Sequence, residues 1–110
     1  MNEFFQTSKD IPWQDLGNGV ARQLFGYNGQ LMMVRVKFEK GAIGAVHQHP
    51  HVQASYVESG QFELTIGDQV KVLKQGDGYF VPPDVAHGCV CLEKGVLIDS
   101  FTPVRSDFLV

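Results

Sequence analysis

Three of the four histidines in this sequence lie within five residues, at His47, His49 and His51. In an extended strand, side chains two residues apart point to the same face, so His47 and His49 can direct their imidazoles at one point. Gln53 follows closely, past a bend at Pro50, and its amide oxygen is a candidate hard ligand. This spacing indicates a metal site rather than scattered surface histidines.

The fourth histidine, His87, comes from a distant part of the chain, after a second proline-rich break. Three neutral imidazoles and one oxygen ligand, with coordination positions left over, are typical of a catalytic first-row divalent metal. We predict one divalent transition metal (Ni, Zn, Fe, Mn or Co), held by His47, His49, Gln53 and His87. The alternative is that these are ordinary loop or core histidines. His51 either orients a ligand through a hydrogen bond or is exposed beside Pro50.

The elements that must position these residues are short strands. Twelve glycines and five prolines interrupt the chain and leave little room for helices. Apolar and alternating stretches predict strands at 31–38, 53–57, 62–66, 70–73, 79–81, 87–92 and 96–101. This pattern is typical of an all-β sandwich or barrel. The one helical candidate is about a turn at 12–16, limited by Gly17 and Gly19.

The histidine spacing resembles the two motifs of the cupin family. The first motif is similar to Gly41, His47, His49, Gln53 and Gly60, and the second to Gly76, Pro82 and His87. The resemblance implies a single-domain cupin (a double-stranded β-helix, or jelly-roll barrel) over residues 1–110. Within it, 1–19 would be an N-terminal arm, and 41–60 and 76–91 would carry the metal motifs.

Three positions depart from the cupin pattern. Gln53 stands where the family usually has Glu, Asp84 where it has Gly, and Cys91 where it has Asn. A neutral Gln53 leaves the site one negative charge short, which weakens metal affinity and makes the metal a better Lewis acid.

The chain also resembles, over nearly its full length, the small pectin-degradation cupins. Segments 11–13 and 38–42, the histidine cluster and the tail 99–109 carry this resemblance. Members of that group convert 4,5-unsaturated monouronates, released from pectin or alginate, into linear ketonised sugars. The resemblance implies a uronate-like small-molecule substrate, with Asp99, Phe101 and Arg105 completing the pocket beside the metal ligands.

Such a ring opening needs a group that moves a proton and a group that fixes the carboxylate. Asp99 shares its strand face with Leu97 and Phe101. If that face points into the barrel, Asp99 is a carboxylate in an apolar pocket, able to shuttle the proton; otherwise it is a surface acid. Arg105 offers a planar fork for a carboxylate, or else is a solvated tail charge. Phe101 lines the sugar site or belongs to the core.

Composition narrows the class of partner. The formal net charge is −3, with 9 Lys and Arg against 12 Asp and Glu. The sequence lacks the stripe of basic residues that would predict nucleic-acid binding. No apolar run approaches the roughly 18 residues of a membrane span. The N-terminus does not resemble a secretory signal. We therefore expect a cytoplasmic protein without membrane or nucleic-acid partners. Phe4, Phe5 and Trp13 in the arm predict a homodimer. Cys89 and Cys91 are read as packing.

Two other functions remain compatible with the sequence. One is a cupin that only binds a small molecule or sugar, as a sensor or storage module. The other is an iron-dependent dioxygenase, because three histidines without a carboxylate ligand are compatible with oxygen activation. Loss of the absorbance of an unsaturated uronate would indicate the uronate enzyme, and uptake of oxygen would indicate the dioxygenase. Neither change would occur with a cupin that only binds its ligand.

Overall fold

The computed structural model describes residues 3–109, most of which lie in eight antiparallel strands. These are β1 (Gln14–Gly17), β2 (Val20–Tyr27), β3 (Met32–Phe38), β4 (Ile43–His47), β5 (Val52–Ile66), β6 (Gln69–Lys74), β7 (Gly78–Val81) and β8 (His87–Thr102). Two short 3-10 helices, Ser8–Asp10 and Ser106–Leu109, lie near the ends of the described chain. The described residues contain no helix long and apolar enough to cross a membrane.

The two long strands β5 and β8 pair along almost their whole length and organise the fold. Each of these long strands also pairs, along its other edge, with two short strands. On β8, β4 pairs with the beginning and β3 with the end; on β5, β7 pairs with the beginning and β6 with the end. Strands β2 and β1 extend the sheet beyond β3. The all-β architecture predicted from the glycine and proline spacing is confirmed.

A sharp bend shared by β5 and β8 folds this sheet onto itself. Their register shifts three times between Val57 and Phe62. Gly60 has a φ of 82°, and a Cβ there would lie 2.6 Å from the carbonyl oxygens of Glu93 and Lys94, so only glycine fits. The prediction that strands end near Gly60 and Gly95 was therefore wrong: 53–57 and 62–66 are halves of β5, and 87–92 and 96–101 are halves of β8.

The core lies between the two halves of the folded sheet. The Phe38 ring from β3 contacts the Phe62 ring from β5 edge to face, with centroids 5.3 Å apart. A cluster of eight buried residues spans both halves: Phe38, Ala42, Val57, Phe62, Leu64, Leu73, Cys91 and Leu97. Cys91 therefore packs in the core, as predicted. A second cluster (Met32, Val34 and Phe101) lies towards the end that carries the histidines.

The helical turn predicted at 12–16 is absent. Residues 14–17 form the edge strand β1, because Gln14 and Asp15 pair with Arg22 and Ala21 of β2. The tight turn between these strands uses Gly17 and Gly19, both at positive φ. Glycines at these positions would end a helix, but they also allow the tight turn of a β-hairpin.

Buried polar contacts hold the preceding segment in place. The fully buried Gln23 amide donates to the carbonyls of Ser8 and Ile11, at 2.9 Å each. Trp13 is half-buried, with the Lys37 ammonium 4.1 Å from its ring centroid, so it is less free than the sequence suggests. Phe4 and Phe5 are 98% and 89% exposed.

Candidate metal centre

Three histidines from two strands and a loop meet at one end of the fold. His47 ends β4, His87 begins β8, and the two are paired across these strands. His49 follows in the loop after β4. The ring centroids lie 4.4 to 5.4 Å apart, and one ligand nitrogen from each residue lies within 4.8 Å of the others. His49 and His87 are buried, whereas His47 is exposed.

Backbone carbonyls orient all three imidazoles in the same way. Each Nδ1 lies at hydrogen-bond distance from a carbonyl oxygen two residues away: Ala45 for His47 (2.8 Å), Val85 for His87 (2.9 Å) and His51 for His49 (3.2 Å). A carbonyl oxygen can only accept, so each Nδ1 donates and each Nε2 keeps its lone pair. This tautomer is the one in which Nε2 binds a metal.

The surroundings of the Nε2 atoms of His87 and His49 are those expected of metal-binding nitrogens. His87 Nε2 is buried and has no hydrogen-bond partner among the described residues. His49 Nε2 lies 3.1 Å from Gln53 Oε1, so two acceptors face each other. Buried acceptors are rarely left in this arrangement, and a cation between them satisfies both. Burial also lowers the pKa of His49 and of His87, which keeps both imidazoles in the neutral, metal-binding form.

The Gln53 amide is oriented by two neighbours. Its Nε2 donates to Ser55 Oγ at 3.0 Å and, more weakly, towards Asp99 Oδ1 at 3.4 Å. The amide oxygen is thereby directed at His49 and the histidine cluster. The donor set of His47, His49, His87 and Gln53 fits a divalent metal, with three nitrogens and one neutral oxygen.

His51 lies outside this donor set. Its Nε2 is 3.2 Å from the Val104 carbonyl oxygen, while its own carbonyl accepts from His49. The imidazole of His51 is therefore directed at Val104, and it is the backbone carbonyl of His51 that contacts His49.

Asp99 lies beside the metal ligands on β8. Ser55 Oγ donates to its Oδ1 at 2.6 Å. Burial raises the pKa of Asp99 to about 6, although the hydrogen bonds from Ser55 and Gln53 act in the opposite direction. A carboxyl group with this pKa is accessible in both protonation states close to neutral pH.

A cavity of about 210 Å³ is lined by His47, His87, Gln53 and Asp99. Its wall is mostly apolar and includes a few polar groups, as in small-molecule sites. The residues lining it include Val36, Phe38, Leu64, Tyr79, Cys89, Leu97, Phe101 and Phe108, besides Arg22, Arg105 and the site residues already described. Burial, reinforced by the Asp99 charge, raises the pKa of Tyr79 well above its ordinary value, so Tyr79 is a neutral donor in this wall.

Arg105 reaches the same cavity from the tail, and its side chain is only 11% exposed. Its guanidinium is already paired: Nε and one terminal nitrogen donate to the two oxygens of Asp107, at 3.1 and 2.9 Å. The fork predicted from the sequence is therefore only partly open to a ligand. Phe101 is buried in the second core cluster and also lines the cavity, so both of its sequence interpretations apply.

Sequence reasoning missed three residues of this site. Ser55 shares the strand face of Gln53, so alternation within the predicted strand could have found it. Tyr79 lies in a predicted strand, but the sequence did not indicate which face of that strand its side chain occupies. Arg22 lies in β2, a strand that was not predicted.

A folded antiparallel double sheet with a three-histidine centre at one end defines a cupin. The chain belongs to the cupin family: the family model described as "Cupin domain" matches residues 34–99. This confirms the predicted family and fold class.

Individual relatives narrow the comparison. The chain is 47% identical to the "Pectin degradation protein KdgF" of Dickeya dadantii (strain 3937), over 91% of this chain and 93% of that protein. An RmlC-like cupin from Shewanella frigidimarina NCIMB 400 superposes with a TM-score of 0.95 at 47% identity, covering 97% of this chain and 96% of its own. The structure of KdgF from Halomonas sp. superposes with a TM-score of 0.92 at 38% identity, covering 94% and 98%. The predicted resemblance to pectin-degradation cupins is thus confirmed.

Proposed function

We propose that this chain is a metal-dependent enzyme of pectin degradation that converts 4,5-unsaturated monouronates into linear ketonised sugars. The observation that carries the proposal is the placement of Asp99. Its carboxyl group, with a pKa of about 6, lies in the same cavity as His47 and His87 and is joined to the candidate ligand Gln53 through Ser55. The relatives named for pectin degradation support the substrate class.

The reaction is an isomerisation and needs one proton to be moved. The proton leaves the anomeric hydroxyl, the bond between the anomeric carbon and the ring oxygen breaks, and an aldehyde forms. The ring oxygen becomes the oxygen of an enolate on carbon 5. Protonation at carbon 4 by the same proton then converts this enolate into a ketone, so atoms and electrons balance without an oxidant or a second substrate.

Asp99 is the group assigned to this proton transfer. Its carboxylate accepts the proton from the anomeric hydroxyl, and the resulting carboxylic acid returns it to carbon 4. Ser55 fixes one carboxyl oxygen, which leaves Oδ2 for the substrate. The apolar lining strengthens each of these polar interactions by excluding water.

The remaining residues bind and orient the sugar. Arg105 presents its unpaired N–H groups to the substrate carboxylate, and the Phe101 ring packs against the sugar. His47, His49, Gln53 and His87 would hold a divalent metal, which supplies Lewis-acid polarisation of sugar oxygens when bound. The proposal also includes a cytoplasmic location, and a sugar acid rather than nucleic acid or membrane as partner.

The test follows the ultraviolet absorbance of the conjugated unsaturated acid while oxygen is recorded in the same vessel. We expect metal-loaded protein to accelerate the loss of absorbance above an enzyme-free blank, without oxygen consumption, and to yield an open-chain ketone by NMR. Binding of the sugar without accelerated loss would favour the sensor or storage alternative. Stoichiometric oxygen uptake would favour the iron-dependent dioxygenase.

A further inference from the structure

Two arginines from opposite ends of the chain meet at one aromatic ring in the cavity wall. The Arg22 guanidinium carbon, from β2, lies 3.9 Å from the centroid of Phe108, and that of Arg105 lies 4.3 Å from the same centroid. Phe108 belongs to the 3-10 helix Ser106–Leu109, and all three residues line the cavity. Neighbouring guanidinium cations repel each other, and a nearby anion offsets this repulsion.

The described residues compensate these two charges unequally. Asp107 takes two N–H groups of Arg105. The Nε of Arg22 donates at 2.9 Å to the neutral Gln14 amide, and within residues 3–109 no carboxylate forms an ion pair with Arg22. Burial and the charge of Arg105 both lower the pKa of Arg22, whereas Asp107 raises it. Arg22 is thus a partly desolvated cation that lines the cavity and has no carboxylate partner among the described residues.

We propose that Arg22 is a substrate-binding residue: together with Arg105 it forms a two-guanidinium site for a ligand carboxylate, and this pair makes the cavity selective for sugar acids over neutral sugars. The proposal rests on the proposed function, because it names the residues that recognise the acid group of its substrate. A guanidinium presents paired N–H groups that match the two oxygens of a carboxylate.

The division of roles between the two arginines follows from their partners. Arg105 is held by Asp107 and stacks on both Phe101 and Phe108, so it is fixed in place. Arg22 keeps both terminal nitrogens free of protein partners in the described part of the chain, so it is the arginine with a complete fork to offer. Loss of Arg22 therefore weakens carboxylate binding while leaving the histidine ligands and Asp99 untouched.

The test compares the binding of D-galacturonate and D-galactose, which differ at the carboxylate, by NMR titration into the millimolar range. The variant is Arg22→Met, which keeps an apolar stem against Phe108. Its matched control is Lys37→Met, which removes a cation that contacts Trp13 outside the cavity. Metal content and the unfolding midpoint are measured for each protein.

We expect the parent and Lys37→Met to bind galacturonate more tightly than galactose. Arg22→Met should lose about 10- to 100-fold in affinity for galacturonate with galactose binding unchanged. A parent without preference for the acid, or an Arg22→Met protein that keeps the preference, would overturn the inference. If Arg22→Met loses the preference but the parent does not open unsaturated uronates, the inference stands and the proposed function fails.

Discussion

Ser55 and Asp99 lie directly opposite each other on β5 and β8, and the Ser55 hydroxyl donates a 2.6 Å hydrogen bond to Asp99 Oδ1. Ser55 also accepts from the Gln53 amide. One series of hydrogen bonds therefore fixes both the carboxyl group assigned to proton transfer and Gln53, the oxygen ligand proposed for the metal. The pairing of the long strands β5 and β8, rather than a mobile loop, holds these hydrogen-bonded side chains in place.

Metal binding should depend on His49 and not on His51. We expect about one divalent metal per chain in the purified parent, and loss of most of it in His49→Ala, because a buried nitrogen ligand is removed. His51→Ala is the matched control, since His51 lies outside the donor set. Elemental analysis after dialysis measures both, and unchanged metal content in His49→Ala would disprove the proposed ligand set.

Arg105→Lys should weaken substrate binding more than it slows turnover. The charge survives, but the planar fork that pairs with Asp107 and reaches the cavity is lost. We expect KM for the unsaturated uronate to rise about tenfold, with a smaller fall in kcat. Initial rates over a range of substrate concentrations test this, and a fall in kcat at constant KM would contradict the role assigned to Arg105.

The Arg35–Glu58 ion pair should make stability depend on pH. Arg35 donates to both Glu58 oxygens, at 2.8 and 2.7 Å, and this hydrogen bonding lowers the pKa of Glu58 below its ordinary value of 4.5. A carboxyl group whose pKa is lowered on folding stabilises the protein above its unfolded-state pKa, and this stabilisation is lost as the pH falls through the folded-state pKa.

The measurement compares urea unfolding of the parent and Glu58→Gln. Near neutral pH, we expect the variant to be less stable by about 1 kcal/mol or less, because the pair is partly exposed. The difference should shrink as the pH falls below 4.5. Glu63→Gln serves as a control, since Glu63 forms no ion pair with the described residues. A stability difference that is constant with pH would refute the contribution of Glu58 ionisation.

We expect a homodimer in solution. Phe4 and Phe5 are 98% and 89% exposed, and adjacent exposed aromatic rings are typical of an interaction surface. Light scattering should give about twice the chain mass of 12.2 kDa, and the double variant Phe4→Ser/Phe5→Ser should shift towards the monomer. A parent mass close to 12.2 kDa at micromolar concentration would refute this expectation.

The histidine centre was predictable because its information is local. His47 and His49 are only two residues apart, at the end of β4 and in the loop that follows it, and proline-rich breaks mark where each ligand segment turns. The pairing of His47 with His87 across β4 and β8 is the long-range relationship that brings the distant fourth histidine to the cluster.

The N-terminal strands were not predictable because their stability is non-local. In β2, the buried Gln23 replaces the apolar residue that alternation requires, and the backbone of Ser8 and Ile11 satisfies its amide. Without these partners the segment does not resemble a strand, and Arg22 was lost with it. The continuity of β5 through Gly60 was hidden for a similar reason, since the bend requires a second glycine opposite: a Cβ at Gly95 would collide with the Ser59 carbonyl oxygen.

The most direct test of the account is the rate at which Asp99→Asn consumes an unsaturated uronate. The amide is nearly isosteric but cannot accept and return a proton, so we expect turnover to fall by about 10²–10⁴-fold. Because the histidine ligands are unchanged, metal content should equal that of the parent. An Asp99→Asn protein with parental metal content and parental turnover would contradict the assignment of Asp99 as the proton-transferring group.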